Sequence, residues 1–297
     1  MVFLIPSFYL NIYIMTIIPA EVKTGVLHSL MLAAIAPRPI ALVSTINEVG
    51  FSNLSPFSFF NAFGSNPPIL VFSPARRVRD NTIKHTLKNV KATKEVVIGV
   101  VNQKIVNQIS LSSCEYPENT SEFIKAGLTP IKAHCVKPFL IKESPVNFEC
   151  KVLNIIETGQ SGGAGNLVVC EILRMHIAEE ILDNNNKIDQ SKIDLVGRLG
   201  ADYYCTTSGT ELFEVAKPNL KLGIGFDLLP EKILNSEVLT GSDLAFLANV
   251  EAIPIPNPQI QSQLLNFKTI SQLHNYAKQC IKSRDLDLAW QILLKEI

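Results

Sequence analysis

The chain has 297 residues, 47% of them hydrophobic and 18% charged, which suffices for one large core or two modest domains. Lys plus Arg and Asp plus Glu both number 27, so there is no global field to hold a polyanion and nucleic acid is not expected as a partner, although a local basic cluster can still hold one phosphate. Six cysteines, at 114, 135, 150, 170, 205 and 280, are scattered without a CxxC pair; they are expected to be reduced thiols packed as small hydrophobes in a cytoplasmic protein, with no metal site.

Residues 1–20 are strongly apolar but lack the basic region of a secretory signal, and Pro6, Ser7 and Asn11 interrupt any membrane span. An ordinary mixture of polar and apolar residues begins near Met15. The expectation is therefore that translation starts at Met15 and that 1–14 are an artefact or an unstructured arm, with a membrane-anchored arm as the alternative.

From Arg38 the sequence RPIALVSTI is an apolar, β-branched strand, stopped by the turn Asn47 to Gly50. A second strand starts near Phe51. Pro67 and Pro68 break the chain ahead of a short buried strand, Ile69 to Ser73. The stretch from Ala75 to Lys91 is polar, basic and partly helical. Glu95 to Val101 is another strand, and 104–113 and 121–126 are short helices. Two longer strands, Asn147 to Glu157 and Asn166 to Ile177, flank a flexible hairpin loop over 158–165. Short strands separated by turns fit a closed or nearly closed barrel; a βαβ array would need repeated helical crossovers. Residues 216–260 are expected to be irregular chain laid across the barrel, with Pro254, Pro256 and Pro258 as a spacer. Residues 261–296 are expected to form two helices split near Arg284 and Asp285. The expected division is an arm over 1–19, a barrel domain over 20–250, and a linker with a helical extension over 251–297.

The densest polar signal runs from Ser73 to Thr82. Ser73, Arg77, Arg79 and Thr82 supply donors, and Asp80 or Asn81 can cap a following helix. Arginine forks match phosphate oxygens, so the turn is either an anion site or a solvated basic loop. Lys84 and His85 either enlarge the patch or face water. From Asn53 to Asn61, the polar residues Asn53, Ser55, Ser58 and Asn61 interrupt apolar ones, and Pro56 breaks the ladder. Such a crossing frees backbone groups for a flat heterocycle; the other reading makes it core, with Phe57, Phe59, Phe60 and Phe63 as packing. The hydroxyls of Ser44 and Thr45 bond either a cofactor or a neighbouring strand. His176 is either a satisfied histidine or a donor and proton relay beside a redox substrate. Arg198, between Gly197 and Gly200, touches either a cofactor or a second subunit. The glycines at 162, 163 and 165 are not a dinucleotide fingerprint, because a strand follows them.

Taken in order, Pro37 to Thr45, Gly50, Asn53 to Ser58, Asn66 to Pro68 and Ser73 to Thr82 resemble the flavin reductase-like family. So do Glu143 to Pro145, Phe148 to Cys150, Gly163 to Asn166 and Val196 to Gly200. The resemblance implies a mainly β, Greek-key FMN-binding split barrel with short peripheral helices, here with a helical C-terminal extension. It implies a homodimer with a flavin near each interface. It places Ser44 and Thr45 along the flavin site and Asn53, Ser55 and Ser58 beside the isoalloxazine or ribityl chain. Arg79, Asp80 and Thr82 would surround the phosphate with Ser73 and Arg77 close by, while His176 and Arg198 approach from later chain. The activity implied is an FMN-dependent oxidoreductase that moves hydride from NADH or NADPH to flavin N5 and supplies an oxygenase or another acceptor. Neither nucleic acid nor membrane is expected as a partner. Two alternatives stand: a flavin-binding or electron-transfer module without nicotinamide turnover, and a non-enzymatic scaffold led by the C-terminal helices.

Overall fold

The strand beginning near Ile40 and the turn after it set the architecture. In the computed structural model, which describes residues 15–209, 212, 222–264, 267 and 269–295, helix α1 (Thr24–Ala34) precedes strand β1 (Ala41–Ile46). Asn47 then makes the turn: its Oδ1 accepts the N–H groups of Val49 (3.2 Å) and Phe51 (2.9 Å), and Gly50 takes φ +92°. The chain returns as β2 (Ser52–Phe57), followed by β3 (Phe60–Ser65), β4 (Pro68–Phe72), α2 (His85–Thr93) and β5 (Glu95–Val100). Helices α3 (Val106–Leu111) and α4 (Glu122–Ala126) come next, then the short strands β6 (Pro130–Ile131) and β7 (Leu140–Ile141). The long hairpin β8 (Val146–Glu157) and β9 (Asn166–Ile177) completes the sheet. Helix α5 (Gln190–Ile193) and the hairpin β10 (Val196–Arg198) and β11 (Tyr204–Thr206) follow.

Seven strands pair antiparallel in the order β2-β1-β5-β8-β9-β4-β3. The two edges, β2 and β3, are consecutive in the chain and only Ser58 and Phe59 join them. So short a link forces the sheet to curl until its edges meet, leaving one unpaired seam. Strand β5 returns beside β1 after the long connection that carries α2, which is the Greek-key step. The fold is the split barrel that the motifs implied.

Strands β1 and β5 read as unbroken apolar runs because both of their faces are covered. Ala41, Val43, Val96 and Ile98 pack inward with Phe57, Phe72 and Cys150, and Leu87 and Val90 of α2 fill the same cluster. Leu42 and Val97 face outward under Ile105, Ile109 and Phe123 of the α3–α4 layer. Each such fully buried side chain contributes on the order of 1.5–3 kcal/mol of transfer free energy.

The thiols divide. Cys150, Cys170 and Cys280 are buried as expected, whereas Cys114 and Cys135 are exposed and so are not core hydrophobes. Burial pushes the Cys170 thiol up to about 12.

The chain forms two compact units, divided between Phe213 and Glu214 and not at 250. In the second unit lie α6 (Glu231–Leu234), α7 (Gly241–Leu247), α8 (Pro258–Gln263), α9 (Ile270–Lys282) and α10 (Leu286–Leu293). Leu229, Ile233, Leu244 and Leu247 pack with Leu273, Ala277 and Trp290, so the described part of 216–260 belongs to this helical core. Prolines and glycines hid that periodicity. Pro258 opens α8 at a position where its missing N–H costs nothing. The expected split between the last two helices is present: Arg284 has φ +63°, and Asp285 Oδ1 accepts from Leu288 N at 3.0 Å as the cap of α10. The arm before Met15 and the stretch 217–221 lie outside the described residues. Among the described residues, no helix is long and apolar enough to cross a membrane.

Candidate functional site

Strand β2 is bonded to β1 on one side only. The N–H of Leu54 points away from β1 and donates to Glu122 Oε2 at 3.0 Å. In an antiparallel strand the outward groups alternate, so Ser52, Leu54 and Pro56 present their backbone to the free side. Pro56 therefore sits where no N–H is needed, and β2 runs through it unbroken. The expected interruption of the ladder is instead an edge position.

Two adjoining hollows lie along this edge and share Ser113. The smaller, about 50 Å³, is lined by Asn53, Ser55, Arg77, Lys84, Thr86 and Ser112 among others. The larger, about 200 Å³, is lined by Ile40, Pro56, Ser58, Ile109, Arg198 and Tyr204 among others.

Buried hydrogen bonds fix the floor of the smaller hollow. Asn53 Oδ1 accepts from Thr86 Oγ1 (2.9 Å) and Thr45 Oγ1 (3.4 Å), and Thr45 Oγ1 accepts from Asn89 Nδ2 (3.1 Å). This chain ties the first turns of α2 to β1 and β2. It orients the Asn53 amide so that its Nδ2 bonds to nothing among the described residues. Thr45 thus acts behind Asn53 and is itself fully buried. Ser44 is also fully buried; its Oγ has no partner among the described residues, and it lines neither hollow.

The basic turn is braced by the loop that the sequence marked as flexible. Arg76 N donates to Ala164 O (2.9 Å), Gly163 N to Arg76 O (3.0 Å), and Asn81 Nδ2 to Gln160 O (2.9 Å). A Cβ on Gly162 would stand 2.9 Å from Arg77 O and 3.0 Å from Val78 O, so only glycine fits this approach.

The two central arginines of the turn differ. Arg77 donates to Glu115 (2.8 Å), Thr82 Oγ1 (3.0 Å) and Ile83 O (2.9 Å), and it lines the smaller hollow. Arg79 is 72% exposed, pairs with Asp80 and Glu115, and lines neither hollow. Asp80 accepts from the Thr82 hydroxyl (2.6 Å) and N–H (3.0 Å), which with Arg79 holds its carboxyl down at about 2. Asp80 and Thr82 therefore shape the turn. Ser73 is buried, accepts from Asn166 N at 3.0 Å, and lines neither hollow.

Lys84 is the group that sequence reasoning undervalued. Its ammonium lies 5.0 Å from the centre of the Phe57 ring and makes no ion pair among the described residues. Burial, reinforced by the Arg77 charge, pulls it below the ordinary lysine value. A half-buried cation beside a second cation suits an anion. The only sequence signal was its place at the entrance to α2.

The larger hollow depends on a second residue without an assigned role, Arg38. It is 5% exposed and donates to the carbonyls of Leu32, Ile35 (2.7 Å) and Leu199 (2.9 Å), and to Ser58 Oγ (3.3 Å). Arg38 and Arg198 also exchange backbone bonds of 3.0 and 2.9 Å, which sets the Arg198 side chain 4.6 Å over the Tyr204 ring. An arginine inside an apolar run was the available clue.

His176 is held elsewhere. Its Nε2 lies 2.7 Å from Oε1 of the fully buried Glu149, and its ring stacks on His134 at 5.5 Å. Glu149 also accepts the N–H groups of His134 (3.0 Å), Cys135 and Val136 (3.2 Å). Burial alone would raise the Glu149 carboxyl, but these donors keep it below its ordinary value. Of the expected site residues, Asn53, Ser55 and Arg77 meet at one hollow and Ser58 and Arg198 at the other. Ser44, Thr45, Ser73, Arg79, Asp80, Thr82 and His176 line neither.

A barrel with one open seam, and a cleft of hydroxyls and cations along the seam strand, defines a small-molecule-binding split barrel. The chain belongs to the flavin reductase-like family: the flavin reductase like domain matches residues 33–192. This places it among flavin-related oxidoreductases. It is 37% identical over 195 residues to an uncharacterized protein of Aquifex aeolicus, covering 66% of this chain and 97% of that one. It is similar to the crystal structure of nitrilotriacetate monooxygenase component B from Bacillus cereus, with a TM-score of 0.63, 27% identity, and coverage of 68% of this chain and 98% of that one. A Shewanella frigidimarina protein with a split barrel domain, assigned as a flavin reductase, gives a TM-score of 0.57 at 26% identity, covering 67% and 95% of the two chains.

Proposed function

We propose that the chain binds FMN along the free edge of β2 and acts as an NAD(P)H-dependent flavin reductase. The observation that carries this reading is the pairing of hollows. A small one holds Arg77 and Lys84, with Glu115, which pairs with Arg77, and Glu122 also on its wall, and a larger one adjoins it at Ser113. The two cations of the smaller suit a phosphate dianion, and the larger sets Ile40, Pro56, Ile109 and Tyr204 beside serine hydroxyls and Arg198, a mixed lining that suits a flat ring with a polar edge.

In this reading Arg77 and Lys84 hold the phosphate, while the Ser112 and Ser113 hydroxyls donate to Ile109 O (2.8 Å) and Ser110 O (2.6 Å) and shape the wall. Asn53 Nδ2 and the outward backbone of β2 bond the polar edge of the ring system. Ser58, fixed by Arg38, and Arg198, fixed on Tyr204, flank the ring. Arg79, Asp80, Thr82 and Ser73 keep the turn in shape, and Thr45 orients Asn53. Bound there, the flavin supplies two-electron chemistry, accepting hydride at N5 from NADH or NADPH and passing electrons to an acceptor. No side chain need act as nucleophile.

The nitrilotriacetate monooxygenase component among the similar structures supports an oxygenase as the acceptor. Helix α1 supports a homodimer, because Val26, Leu30, Met31 and Ile35 are exposed and no residue of that helix is buried. Anaerobic mixing with FMN and either nicotinamide tests the proposal. Bleaching of the visible flavin band is expected; tight FMN binding with no bleaching by NADH or NADPH would overturn the reductase reading.

A further inference from the structure

The helical unit carries its own cleft of about 580 Å³, to which Glu231, Lys232 and Glu237 contribute from α6 and the turn after it, and Ile270, Ser271 and His274 from α9. Its chemistry follows from one buried histidine. Ser236 Oγ accepts the N–H groups of Val238 (3.2 Å) and Leu239 (3.1 Å), which occupy both of its lone pairs. Its single proton is therefore directed to His274 Nδ1, 2.7 Å away. That bond fixes the ring as the Nε2–H tautomer. His274 is 4% exposed, and its Nε2 has no partner among the described residues. His274 lines the cleft, so this N–H is free to meet a ligand there. Burial, with the nearby Lys232 charge, lowers the histidine below its ordinary value and keeps it a neutral donor near pH 7.

Two further features surround this donor. Thr269 caps Gln272 at the start of the 13-residue α9, and the N–H groups of Ile270 and Ser271 make no bond among the described residues. Glu231 and Glu237 make no ion pair among the described residues, whereas Lys232 donates to Lys295 O at 3.2 Å. One part of the cleft therefore offers donors for a carboxylate, and another offers carboxylates for a cation.

We infer that this cleft binds a free amino acid as its zwitterion. Its carboxylate is taken by His274 Nε2 and the first amides of α9, and its ammonium by Glu231 and Glu237. Val238 and Ile270 leave apolar room for a side chain. The inference concerns only the unit beginning at Glu214 and stands apart from the flavin reading.

The test is a titration of the full-length chain by calorimetry with each of the twenty amino acids, and with acetate and methylammonium as half-ligands. At least one amino acid is expected to bind saturably with Kd below about 5 mM, and each half-ligand at least about tenfold more weakly. His274→Gln and, independently, the exposed-site change Glu237→Gln are expected to weaken that amino acid by about tenfold. The ¹⁵N-histidine spectrum should show His274 protonated at Nε2, with that nitrogen shifting on saturation. Absence of any saturable amino acid, equal binding of a half-ligand, no weakening in Glu237→Gln, or protonation at Nδ1 would each overturn the inference.

Discussion

Replacing Lys84 by methionine separates the phosphate reading from a general packing effect. Methionine keeps an unbranched stem against Phe57 and removes only the charge. A charge-assisted hydrogen bond to phosphate is worth about 1.5–3 kcal/mol, so FMN should bind about ten- to a hundredfold more weakly. Riboflavin, which lacks the phosphate, should change by less than about threefold. The same substitution should not destabilise the flavin-free protein. Lys84 lies in a half-buried place beside Arg77 that depresses its proton affinity. A lysine whose folded pKa is lowered binds more protons when unfolded, so its contribution to stability rises with pH up to its ordinary value of 10.5. Wild type should therefore gain stability on going from neutral to alkaline pH relative to Lys84→Met, as read by urea unfolding. Flavin fluorescence titration measures the two affinities. Equal losses for FMN and riboflavin, or no loss for either, would refute the assignment of Lys84 to the phosphate. Arg79→Ala is the matched control: its exposed, internally paired guanidinium should change FMN affinity by no more than about threefold.

Gly162→Val should push the hairpin loop off the basic turn and weaken FMN more than riboflavin while the circular dichroism spectrum stays native; unchanged FMN affinity would show that the brace does not position Arg77. Glu149→Gln should cost about 3 kcal/mol in urea unfolding at neutral pH, because a buried carboxylate with four donors is replaced. Since the folded Glu149 value is lowered, its contribution is full above the ordinary carboxyl value and is lost as pH falls through the folded value, so the difference between wild type and Glu149→Gln should shrink in acid. Arg38→Lys should cost about 2–3 kcal/mol of stability, because an ammonium cannot reach four acceptors held in a planar fork, and it should loosen the flavin ring more than the phosphate.

Much of the barrel was legible along the chain. The runs ALVSTI, ILVF and EVVIGV are β-branched and bounded by turn residues, and each is a strand. The lack of alternation in β1 and β5 has a simple cause, since α2 and the α3–α4 layer cover both of their faces. The helical unit was less legible over 226–250, where Pro230 and Gly241 interrupt the pattern of leucines that reach the core only after folding. In the cleft, Asn53, Ser55, Ser58, Arg77 and Arg198 were visible as polar residues in apolar or glycine-rich settings. Lys84 was not distinguishable from a surface lysine, because no local feature reveals that the nearby Glu115 is engaged by Arg77 and Arg79 instead.

Local sequence determined which segments extend, where they turn, and that a cluster of arginines and hydroxyls follows a short buried strand. These properties depend on neighbours within a few residues, where backbone sterics and side-chain pattern act directly. Only the tertiary structure decided that Pro56 lies on an edge, and that Glu115, brought from 36 residues beyond Arg79, engages both arginines while Lys84 keeps its charge unpaired. Such outcomes rest on Coulomb and hydrogen-bond partners distant in sequence, and those partners come within range only when the sheet curls and its seam is lined.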